Sequence, residues 1–131
     1  MSKQAKLKEQ FLSEPLTIQL SALATNLARI DAYIADTENE SLIRHLVDES
    51  RFFIDWIVPS LHDFEQQYTL AQYQRQLTQW LHQWEVIWVD PVRRMNMATE
   101  ANRWSEQVWQ ISGLRDTADA FVADSTKIAG V

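Results

Sequence analysis

The chain has 131 residues, 46% of them hydrophobic and 23% charged, with two Gly, three Pro and no Cys. That length suits one compact domain, the scarcity of turn-formers argues against a sandwich or barrel of many short strands, and the lack of Cys excludes disulfides, thiolate metal sites and thiol nucleophiles. The formal net charge of −6 disfavours sequence-independent binding to nucleic acid or to an anionic membrane surface.

The opening residues, MSKQAKLKEQFLSEP, carry Lys3, Lys6 and Lys8 without the apolar stretch of a secretory signal, and no apolar run is longer than the four residues of Val86 to Val89. A membrane-spanning helix needs about 20 largely apolar residues. The expectation is a cytoplasmic protein with no membrane partner. Residues 1–13 read as an N-terminal arm.

The first predicted helix covers about 14–35. Leu16, Leu20, Leu23, Leu27, Ile30 and Ile34 step 4, 3, 4, 3, 4, the a/d seam of a helix with one buried stripe. Ser13 is placed to cap it, and Pro15 falls where a first turn tolerates proline. Thr37 and Glu40 then form a capping-box pattern that opens a second helix. Its seam runs Ile43, Val47, Ser50, Ile54, Ile57, Leu61, Phe64, Tyr68 and keeps its phase across Pro59. The continuity predicts one long helix over 38–67, bent at the proline.

From Thr69 the phase resets. Leu70, Tyr73, Leu77, Trp80, Trp84 and Ile87 lie nearly opposite the preceding stripe at 100° per residue, so a break is expected at 66–69 and a third helix over 69–89. Asp90-Pro91 supplies an N-cap and a proline at the first helical position of a fourth helix, with seam Met97, Ala101, Trp104, Val108, Ile111 and a C-cap at Gly113. Leu114, Ala118, Phe121, Ser125 and Ile128 suggest a short fifth helix.

Together these elements predict a single all-α domain over 1–131. The architecture expected is an antiparallel, left-handed four-helix bundle within 14–112, with a Pro-kinked long second helix and a short C-terminal helix in 113–131.

Catalytic patterns are absent. No phosphate-cradling glycine loop, no G-x-S-x-G and no H-E-x-x-H occurs, so no catalytic residue is assigned. His45, His62 and His82 are each followed by an acid three residues on, and none is preceded by one at that distance, as a di-iron bundle requires. No metal ligand and no cofactor is assigned.

Two surfaces stand out. The second helix carries, beside its seam, a second apolar stripe of Leu42, Phe52, Phe53 and Trp56 with His45 and Glu49 interleaved, more than one face buries. A helix of that kind is either central, flanked by the N-terminal arm or the C-terminal helix, or it presents a partner-binding patch. Residues 31–65 also hold nine acids (Asp31, Asp36, Glu38, Glu40, Asp48, Glu49, Asp55, Asp63, Glu65) against two bases (Arg44, Arg51), a pattern that reads first as a solvated face and in its sharper form as a surface for docking a basic partner.

The leading reading is a non-enzymatic interaction or regulatory protein. Its interface is Leu42, His45, Glu49, Phe52 and Trp56, and it binds a protein partner or a second copy. The alternative is a small-molecule or metal-binding bundle with an aromatic pocket between the third and fourth helices. Tyr73, Trp80, Trp84 and Trp104 would line it.

Overall fold

Helix formers fill the segment KQAKLKEQFLS, and the Ser2 hydroxyl accepts from the Ala5 N–H at 3.0 Å, so α1 (Lys3–Ser13) is a helix where an irregular arm is expected. In this computed structural model residues 2–114 are described, and all their regular structure is helical. The fifth helix expected from Phe121 and Ile128 lies outside the described residues. After α1 come α2 (Leu16–Tyr33), α3 (Glu40–Ile57), α4 (Phe64–His82), α5 (Trp84–Trp88) and α6 (Pro91–Ser112), with single 3-10 turns at Thr37–Asn39 and Val58–Ser60.

The predicted seams largely coincide with the core. Leu20, Leu23, Leu27 and Ile30 of α2, Ile43, Val47, Ile54 and Ile57 of α3, and Met97, Ala101, Trp104 and Val108 of α6 are all buried in one continuous cluster, and Ser50 of α3 is buried as well. α2 packs most extensively on α6 and next on α3, which in turn packs on α4. This is an all-α helical bundle.

Three helix boundaries differ from the expectation, each for a local reason. Ser13 does not cap α2. It ends α1, its hydroxyl donating to the Gln10 carbonyl, while Pro15 occupies the α2 N-cap with no side-chain bond. At the start of α3 the capping box does not form. Asp36 Oδ1 instead accepts from the Glu38 N–H at 2.9 Å, and the Glu40 carboxylate is engaged elsewhere, accepting from Trp84 Nε1 at 3.1 Å.

The long kinked helix over 38–67 is two helices. Pro59 has no N–H to donate, so the chain tightens into a 3-10 turn closed by Leu61 N–H to Val58 O, and Leu61 then turns extended (φ −82°, ψ 139°). Asp63 restarts the helix by accepting from the Gln66 N–H, and Gln67 Nε2 donates to the stranded Leu61 carbonyl at 2.7 Å. The break therefore falls at 61–63, ahead of the expected 66–69. Phe64 and Tyr68, placed in the buried seam by phase, are 78% and 58% exposed. The reset stripe from Leu70 to Ile87 is buried as expected, although the backbone interrupts it at Gln83 between α4 and α5. α6 follows its signals: Asp90 Oδ1 accepts from the Val92 N–H at 2.9 Å, Pro91 opens the helix, and Gly113 closes it at φ 75°, a left-handed conformation that glycine adopts without strain.

Candidate functional site

The interface residues expected on the second helix fall on α3 at spacings of 3, 4, 3, 4, from Leu42 through His45, Glu49 and Phe52 to Trp56. Helical geometry puts them on one side. That side is not bare. α1 lies over its C-terminal half: Phe11 stacks on Phe53 with ring centroids 4.3 Å apart and tilts against Trp56 at 5.5 Å. Trp56 is consequently only 9% exposed and Phe53 5%, so both belong to the core, in correction of an open aromatic flank. Phe52 remains half-buried, and Leu42 is exposed.

What stays accessible is a groove of about 320 Å³ between α1 and α3. Leu7, Phe52 and Trp56 supply its apolar surface, and His45, Asp48 and Glu49 form the α3 rim. An adjoining groove of about 520 Å³ shares Phe52 and Trp56 and extends to Lys8 and Asp55. Four of the five expected interface residues therefore line the first groove, and Leu42 lies beyond it.

The polar rim is ordered from behind. Asn26 of α2 donates Nδ2–H to Glu49 Oε1 at 2.9 Å, and the other carboxylate oxygen of Glu49 lies 3.3 Å from His45 Nε2. Asn26 is itself buried, so it fixes the carboxylate without competing for solvent. Next to this pair, Arg51 bonds Asp48 and lays its guanidinium over the Phe52 ring at 5.5 Å. The groove thus combines aromatic surface with two carboxylates held by their neighbours.

The alternative site is organised differently. Trp104 lies between Tyr73 at 4.6 Å and Trp80 at 4.9 Å in one near-parallel stack, so these rings fill the space between α4 and α6. Trp84 is not with them. It stacks on Trp88 at 5.5 Å and bonds Glu40. An open groove of about 510 Å³ does run between α4 and α6, but of the four aromatics only Trp80 borders it, among Gln76, Gln79, Arg93 and Glu100.

Burial pushes the Tyr73 phenol up to about 12, against a smaller lowering by the Arg103 charge, and its hydroxyl is buried without a hydrogen-bond partner. The group is neutral near pH 7. Among the described residues no cluster of three or more His, Asp or Glu is placed to hold a metal ion, and no helix is long and apolar enough to cross a membrane. His62 and His82 are exposed.

Sequence reasoning offered the N-terminal arm as one of two covers for this flank but missed that the arm is a helix. The signal was present in Ser2 as a cap and in Leu7 and Phe11, spaced i, i+4 on one helix face. It also missed Val86, Val89, Val92 and Met95, all exposed around the α5–α6 turn. No family model, curated protein or solved structure matches the chain.

Proposed function

We propose that the protein is a cytoplasmic, non-enzymatic interaction protein that holds a basic segment of another protein against the α3 flank of Leu42, His45, Glu49, Phe52 and Trp56. The observation that carries this reading is the groove itself, in which aromatic surface from Phe52 and Trp56 adjoins the carboxylates of Asp48 and Glu49. Aromatic faces attract Lys and Arg side chains, and carboxylates held in place bond them. The acid-rich stretch 31–65 adds a field that draws a cationic partner in and disfavours acidic competitors.

Site-specific crosslinking tests this directly. With photoreactive benzoyl-phenylalanine in place of Phe52, illumination in cells should give a discrete adduct to another protein through a Lys- or Arg-bearing segment, while the same group at exposed Arg75 of α4 should not. No adduct at position 52, or the same adducts from both positions, overturns the reading. An adduct only to a second copy assigns the flank to self-association instead.

A further inference from the structure

The α3 flank already has an occupant within the chain. α1 lies on it, and its hold is narrow: Phe11 is its one buried side chain, with Leu7 half-buried beside it. Among the described residues no hydrogen bond or ion pair joins residues 3–13 to another helix. Its charge complements the site, with Lys3, Lys6 and Lys8 against a single acid, Glu9. Lys3 borders the groove that holds Asp48 and Glu49, and Lys8 borders the adjoining groove with Asp55.

The joint to α2 is short. Glu14 and Pro15 are both extended, at ψ 153° and 152°, α2 starts at Leu16 with no side-chain N-cap, and one bond crosses the joint, from Nε2 of the buried Gln19 to the Glu14 carbonyl at 2.9 Å. A change of backbone angles at these two residues swings α1 away with α2 left in place.

Resting on the reading just given, we infer that α1 is an in-chain stand-in for the partner: the partner is a helix of the same design, lysine-bearing with one aromatic anchor, and it binds by displacing α1. While α1 is seated, a competing helix meets the site only during the fraction of time that α1 is off, so its apparent affinity falls by that fraction. The tether gives α1 a high effective concentration, which sets the threshold a partner must exceed.

The probe is a fluorescein-labelled peptide of residues 2–14, titrated by anisotropy into the full-length protein. It should bind the Phe11→Ala variant at least about tenfold more tightly than wild type, because the cis competitor has lost its anchor. Adding Phe52→Asp should abolish that binding. Equal affinity for wild type and Phe11→Ala overturns displacement and leaves the flank a binding site. Binding to neither, with Phe11→Ala still melting cooperatively, removes the reading and the inference together. Loss of the cooperative melt in Phe11→Ala also overturns the inference, since α1 is then part of the core.

Discussion

α1 and α2 both lay an apolar face on α3, and they are held in unlike ways. α2 commits Leu20, Leu23, Ala24, Leu27 and Ile30 to the core, and polar bonds secure it on two sides, Asn26 to Glu49 of α3 and the Ala24 carbonyl to the Ser105 hydroxyl of α6 at 2.7 Å. α1 commits one buried phenyl ring with Leu7 half-buried beside it, and among the described residues its residues 3–13 make no polar contact to another helix. The contrast separates a permanent element from an exchangeable one. A helix that buries five apolar side chains leaves only when the molecule unfolds, whereas one anchored chiefly by a single ring opens locally at a fraction of the global free energy.

The largest expected effect is on the α2 side. Leu27 is fully buried, and Leu27→Ala should cost about 2–5 kcal/mol and lower the global melting transition. Phe11→Ala should cost less, about 1.5–3 kcal/mol for the lost burial of one ring at an element that detaches without leaving a cavity in the bundle. Its signature differs as well. Circular dichroism should lose the helicity of α1 while the main transition keeps its cooperativity. If the two substitutions melt the protein alike, the distinction between the helices fails.

Smaller and of opposite sign are the changes at buried hydroxyls that lack partners. The Ser50 and Tyr73 hydroxyls are buried without hydrogen bonds, so Ser50→Ala and Tyr73→Phe should each stabilise the fold by up to about 1 kcal/mol in denaturant titrations at neutral pH. Tyr73 adds a pH test. Burial raises its pKa from 10.0 to about 12, so the neutral phenol's contribution is complete below pH 10 and is lost as the pH rises through about 12. Tyr73→Phe should remove that share of the alkaline loss of stability. An unchanged alkaline profile in the variant would mean that Tyr73 is not the group responsible.

The sequence read correctly where periodicity and capping agreed. Asp90-Pro91 at the start of α6, Gly113 at its end and the unbroken seam between them left one solution. Where the two signals conflicted, at Pro59, phase was the weaker guide. Phe64 and Tyr68 extend the stripe on paper, but apolar side chains are common on protein surfaces, and the missing Pro59 N–H ends the helix regardless of phase. The candidate site was legible as an excess of apolar surface on α3. Its cover was narrowed only to the N-terminal arm or the C-terminal helix, because α1 carries a single buried aromatic in a polar, lysine-rich segment, too faint a stripe to register as a helix.

On this reading α1 opens independently of the bundle and uncovers the α3 flank. Native-state hydrogen exchange of the wild-type protein, followed residue by residue with rising denaturant, tests it most directly. The account predicts that amides in residues 5–13 exchange by local opening that is far less costly than global unfolding and nearly independent of denaturant, while amides of α2 and α6 exchange only with global unfolding. Protection of α1 equal to that of α2, with the same denaturant dependence, would contradict it.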